Sequence, residues 1–172
     1  MSQIARLWIW LRRIKSSRGF GIQSPTDYAF VRYVINEHWP YYAYDLFAGD
    51  DWLTQKLGKL YFRLANWRQP RTMTPDRYQK YWQAGCRKTV FQPTTEQVEL
   101  ARVDVTQHHD IAQILQRCNQ QSVVVVEGIW RDMPTWQSVV HDQRVGTTFD
   151  LYYCGIIFFD KQRYKHDYII NF

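Results

Sequence analysis

The sequence predicts an α/β fold: a mostly parallel sheet with helices on both faces and an antiparallel C-terminal edge. Three observations carry that expectation. Val123, Val124, Val125 and Val126 follow Ser122 and close on Glu127 and Gly128, the pattern of a buried parallel strand opening into a loop. Candidate strands and helices alternate through the middle of the chain, and strand signals dominate after residue 147. In such sheets ligands bind at the carboxyl ends of strands, which makes Glu127 a candidate site residue.

The chain of 172 residues has room for one domain with its own core, read as an N-terminal helical region (1–45) and an α/β core (46–172). An aromatic content of 17% argues against disorder. Cys86, Cys118 and Cys154 are far apart and form no C-x-x-C pair, which points to free thiols in a reducing compartment. No apolar run reaches the roughly 18–20 residues of a membrane span. Arg12, Arg13 and Lys15 interrupt what would be the apolar core of a secretory signal, so a cytoplasmic location is expected. The net charge of +6 and pI of about 9.3 permit an acidic partner. The cations are spread along the chain, however, and this argues against nucleic acid.

In chain order, Ile4, Leu7, Trp8, Leu11 and Ile14 recur at helical spacing over residues 4–15. This amphipathic helix suits packing on its own domain or across a homo-oligomer; the sharper reading is a membrane-surface or partner-docking arm. Arg18, Gly19, Phe20 and Gly21 break it. Ser24 as cap, Pro25 at the first helical position and Asp27 start a helix to about Asn36 that buries Tyr28, Val31 and Ile35. The aromatic residues 39–44 then form a connection, suited to packing or to stacking a ligand. Asp50 or Asp51 caps the next helix, which presents Leu53, Leu57, Leu60, Tyr61 and Leu64 and ends near Trp67 before Pro70.

Arg71, Thr72 and Met73 allow only a very short strand. Thr74 and Pro75 restart a helix, with Gly85 as its stop. Residues 88–92 and 98–105 are expected strands, 107–119 a helix, and Asp132 and Pro134 open a short helix carrying Trp136, Val139 and Val140. Residues 147–152 and 155–159 are expected strands joined by a tight turn around Cys154 and Gly155, and 168–172 a last strand.

Four segments carry a resemblance: Gly19-Phe20-Gly21-Ile22-Gln23-Ser24-Pro25, the helix over 57–70, residues 122–130, and the tail Thr148-Phe149-Asp150-Leu151-Tyr152 with Gly155-Ile156-Ile157-Phe158-Phe159-Asp160, continuing through Lys165 to Phe172. Together they resemble a group of bacterial class I S-adenosylmethionine-dependent methyltransferases with a Rossmann-like fold. The likeness covers roughly two-thirds of the chain, at its two ends, and rests on structural rather than catalytic signatures. It implies that the valine strand is the fifth of seven and that Asp104 ends the fourth, beside it. In that family the first strand ends in a glycine-rich turn that lets the backbone approach the cofactor. Here residues 71–80 contain no glycine; Gly58 precedes them and Gly85 follows. The connection from Arg71 to Val98 is also too short for the family's first three strands and their helices. The resemblance therefore implies a shortened domain that has lost the cofactor cradle, with no cofactor expected unless S-adenosylmethionine binding is retained.

The candidate catalytic residues are Asp104, His108 and Glu127, with His109 and Asp110 beside them. If the two strands are adjacent and parallel, these side chains can gather at one sheet edge to share a proton or bind a divalent metal. The bland alternative is a solvated helix start beside a capping acid, because consecutive histidines cannot face one point, and the spacing matches no metal signature. A Cys86 nucleophile lacks a base, and Asp150 and Asp160 read as strand edges. The sequence thus points to a non-catalytic methyltransferase-like binding or oligomerisation module. The alternatives are a methyltransferase with an atypical cofactor site, using Asp104, Glu127 and residues 41–44, and a binder of nucleic acid or another anionic surface.

Overall fold

Residues 3–16, 19–162 and 164–172 are described by a computed structural model; Arg18, placed at the break after the first helix, lies outside them. The fold is mixed α/β. Among the described residues, five strands form one mixed sheet in the order β3-β4-β6-β5-β7, and β1 and β2 form a separate parallel pair. The strands are β1 (Thr72–Met73), β2 (Val90–Phe91), β3 (Val98–Asp104), β4 (Cys118–Glu127), β5 (Thr147–Asp150), β6 (Cys154–Phe158) and β7 (His166–Ile169). The helices are α1 (Gln3–Arg12), α2 (Pro25–Phe30), α3 (Trp52–Arg68), α4 (Gln79–Gly85), α5 (His108–Gln116) and α6 (Met133–Val140).

β4 pairs parallel with β3 and antiparallel with β6, and β6 pairs antiparallel with β5, which is parallel to β7. The valine strand is therefore parallel on one side only. The antiparallel strand lies inside the sheet, correcting the expectation of an antiparallel C-terminal edge; the edge strand β7 runs parallel to its neighbour. The reason is the hairpin, whose turn occupies residues 151–153 rather than Cys154 and Gly155. Leu151 donates to the Cys154 carbonyl at 2.9 Å, and Asp150 Oδ1 accepts from the Tyr152 N–H at 2.8 Å.

Each valine of β4 is buried because both faces of the sheet are covered. Val123 and Val125 join the core beneath α2, α3 and α4, and Val124 and Val126 join the one beneath α5 and α6. This explains the unbroken apolar run.

The caps follow the sequence. Ser24 Oγ accepts from the Asp27 N–H at 3.3 Å, and Asp51 Oδ1 accepts from Leu53 and Thr54 at 3.0 and 3.3 Å. α3 ends on left-handed Gln69 before Pro70. Three expectations need correction. α2 continues as a π-helical turn over Val31–Ile35; Val31 and Ile35 are buried as expected, but Tyr28 is 43% exposed, and Asp27, Phe30 and Val34 are buried instead. α4 begins at Gln79, not at Thr74, because Asp76 holds a turn, its Oδ1 accepting from the Tyr78 N–H at 2.7 Å. Nor does Gly85 stop α4 through a left-handed cap. It is the last helical residue, and a Cβ there would lie 2.2 Å from the Phe62 carbonyl oxygen of α3. Gly58 of α3 meets Tyr81 of α4 in the same way, its Cβ falling 2.1 Å from the ring. Both glycines flanking the residue 71–80 stretch thus serve close helix packing.

Candidate functional site

The carboxyl end of β4 is occupied by a cluster of matched charges. Glu127, only 3% exposed, sits at the last register position of β4, opposite Asp104 of β3. Its Oε2 accepts from the Tyr61 hydroxyl at 3.1 Å and from Arg102 Nη1 at 3.2 Å. Its Oε1 accepts from Arg77 Nη2 and from the Tyr78 hydroxyl at 3.4 Å. Arg102 Nε donates to Asp76 Oδ2 at 2.7 Å, and the Trp82 indole donates to Asp76 Oδ1 at 3.1 Å. α3 supplies Tyr61, β3 supplies Arg102, and the turn after β1 with α4 supplies the rest.

Two carboxylates thus face two guanidiniums, with phenol and indole donors completing their coordination. Burial works against the charge on Arg102, but Asp76 and Glu127 outweigh it and hold the guanidinium above its ordinary range. The same burial, with Glu127 alongside, pushes the Tyr61 phenol far up. Arg102 and Tyr61, shifted in these directions, do not exchange protons near neutrality.

The other candidates do not join Glu127. Asp104 pairs with Arg131, and its Oδ1 accepts from the Thr106 N–H and hydroxyl at 3.0 and 2.8 Å. Burial pulls its carboxyl up, but Thr106 and Arg131 prevail and lower it. His108 Nε2 lies 2.9 Å from Asp132 Oδ2 and 3.2 Å from the Thr135 hydroxyl, so a single ring nitrogen meets both partners. His109 is exposed and pairs with Asp110 at 3.7 Å. The strands are adjacent and parallel, as the gathering required, yet the side chains part into a buried cluster and three surface pairs. Among the described residues, no group of three or more His, Cys, Asp or Glu side chains is placed to hold a metal ion. Cys86, Cys118 and Cys154 are free thiols.

Arg102 is the residue that sequence reasoning missed. Its signal was parity: strand alternation puts it on the face of buried Leu100, where a charge needs a partner.

One groove borders this cluster and a second lies on the opposite flank of α3. The first, of ≈ 390 Å³, runs between the ends of β1 and β3 and α5, lined by Thr74, Asp76, Arg102, Gln107 and Asp110 among others. The other, of ≈ 470 Å³, lies between α3 and residues 35–45, with Asn36, Tyr41, Tyr44, Lys56, Lys59 and Arg63 on its walls. Here Arg63 donates from Nε to the Val34 carbonyl at 2.6 Å and from Nη2 to the Ile35 carbonyl at 2.9 Å, capping the π-helical turn. Lys56 Nζ lies 4.1 Å over the Phe172 ring. Burial, with Arg63 nearby, brings its amine down to about 8. Tyr41, half-buried and donating to Glu37 Oε2 at 2.8 Å, is pushed up to about 12. The aromatic connection thus divides: Tyr41 and Tyr44 pack on Phe62, while Trp39 and Tyr42 are 72% and 96% exposed.

No helix of the described residues is long and apolar enough to cross a membrane. Compared with protein-family models, curated proteins and solved structures, the chain has no match.

Proposed function

We propose that this is a non-catalytic, shortened methyltransferase-like protein with a Rossmann-like core, acting as a binding module through its aromatic N-terminal region. One observation carries the reading: the strand ends where the family cradles its cofactor hold the Asp76, Arg77, Tyr78, Arg102 and Glu127 cluster instead of bare backbone. Support also comes from the order of elements. β3 lies parallel beside β4, as the resemblance implies for the fourth and fifth strands. Between Arg71 and Val98 stand two two-residue strands and one helix, where the family has three strands with their helices. The glycines that flank this stretch are committed to helix packing.

A second reading is a methyltransferase with an atypical site. The observation in its favour is the groove beside Thr74, Asp76 and Arg102. It would not use the residues expected for it, because Tyr41 and Tyr44 line the other groove and Glu127 is sealed. Calorimetric titration with S-adenosylmethionine and S-adenosylhomocysteine separates the two. We expect no binding heat; micromolar affinity for either compound would overturn the non-catalytic reading.

A further inference from the structure

The first helix does not use its apolar stripe on the rest of the chain. Ile4, Leu7, Leu11 and Ile14 are 74, 58, 49 and 47% exposed, Trp8 is 58% exposed, and α1 buries no residue. Its polar contacts are what hold it in place. Arg13 Nη1 donates to the Asp150 carbonyl at 2.9 Å, and its Nη2 to Asp150 Oδ1 at 2.8 Å. Asn171 donates its backbone N–H to the Ser16 carbonyl at 2.9 Å and its side-chain amide to the Trp10 carbonyl at 3.2 Å. The Arg6 guanidinium lies 4.0 Å over the Trp52 ring. A surface helix ordinarily turns its apolar stripe inward and its charges outward. α1 is held the other way, which corrects the expectation that the stripe packs on its own domain.

Charge selects the cover. Residues 3–16 contain Arg6, Arg12, Arg13 and Lys15 and no acidic residue. A second copy would bring the same cations against these, whereas an anionic bilayer opposes them with phosphates. Tryptophans beside arginines suit the boundary between headgroups and acyl chains. Ten residues of helix span about 15 Å, too short to cross a bilayer but suited to lying in its surface.

We infer that α1 docks this protein on bilayers containing anionic lipid. Ile4, Leu7, Trp8, Leu11 and Ile14 enter the interface, Arg12 and Lys15 meet the headgroups, and Arg13 ties the helix to the sheet. The inference rests on the binding-module reading and names its partner.

Flotation of the full chain with vesicles tests it. The protein co-floats with phosphatidylcholine vesicles carrying phosphatidylglycerol as a minor component. Binding is about tenfold weaker to phosphatidylcholine alone and falls as salt is added. Leu7→Glu with Leu11→Glu weakens it by about tenfold or more without altering far-UV circular dichroism or the thermal midpoint, since both side chains are exposed. Arg12→Glu with Lys15→Glu removes the preference for the anionic vesicles. Absence of flotation, or equal flotation with both vesicle types, would overturn the inference. So would a dimer in sedimentation equilibrium that the leucine variants dissolve while vesicles capture nothing, or salt-sensitive binding of duplex DNA in place of vesicles. S-adenosylmethionine binding with flotation intact would sink only the non-catalytic reading. Lost flotation without such binding would sink only this inference.

Discussion

Two sites on opposite flanks of α3 are built from the same kinds of residue to opposite effect. At Glu127 two carboxylates meet two guanidiniums, and tyrosine and tryptophan donors fill the remaining valences. At Lys56 the cations outrun their partners: Arg63 is held by backbone carbonyls and Tyr44, and the Lys56 ammonium rests on aromatic rings. In the first arrangement each buried charge faces an opposite one, and in the second the Lys56 ammonium faces rings. What separates them is whether a desolvated charge has an opposite charge to face, and each site should answer mutation and pH accordingly.

The sharpest way to break this contrast is to remove one partner from the matched cluster. Arg102→Leu leaves Glu127 and Asp76 with Arg77 alone, half of their cationic complement. Removing one member of a buried pair costs about 3–5 kcal/mol, read as a fall in the urea midpoint at unchanged slope. Replacing Arg102 and Glu127 together by leucine should recover part of that loss. Lys56→Leu in the groove should not destabilise at neutral pH, because it removes an ammonium that burial already penalises and strands no carboxylate. If the two single variants cost the same, partner matching is not what distinguishes the sites.

The same distinction marks what the sequence made legible. β4 could be read because four valines buried on both faces leave a signal independent of everything else. Asp51, Ser24 and Pro70 worked because caps and breakers act locally. The place of β6 between β4 and β5 could not be read, since strand order is decided by pairing between residues some thirty apart in the chain. Val31 and Ile35 were read correctly, but Tyr28 was misplaced: the π-helical turn breaks the 3.6-residue register that would have put it on their face. For the site, Asp104 and Glu127 were correctly drawn to neighbouring strand ends. Their divergence depends on Arg131 beyond β4 and Arg77 before α4, whose reach no spacing rule conveys. Arg102 was within reach of the alternation argument, because a cation on the buried face of a strand requires an acid nearby.

A smaller test removes a neutral donor instead of a charge. Tyr61→Phe keeps the ring, stacked on Trp82 with centroids 4.6 Å apart, and deletes only the hydroxyl on Glu127. A hydrogen bond to a buried carboxylate is worth about 1.5–3 kcal/mol, and denaturation should report a loss in that range. Tyr44→Phe removes the phenol that accepts from Arg63 Nη1 at 3.1 Å. Arg63 keeps its two carbonyl partners, so the expected loss is under about 1 kcal/mol. Equal losses would mean that Arg63 depends on Tyr44 as much as Glu127 depends on Tyr61.

The last contrast lies in the pH dependence of the groove. Lys56 titrates at about 8 in the folded chain against an ordinary 10.5, so between those values the unfolded chain binds the extra proton. Stability therefore rises with pH across that interval, and the penalty for carrying the ammonium is complete below pH 8. Cys118, pushed up to about 11 by burial, and the raised tyrosines act in the opposite sense from pH 9 upward. They are common to wild type and Lys56→Met, and they cancel when the two are compared. The wild type should gain on the variant as pH rises from 8 to 10, with the gap between them constant below 8. A gap that stays level through that window would show that the groove solvates its lysine after all, leaving the unmatched cation no more strained than one at the surface.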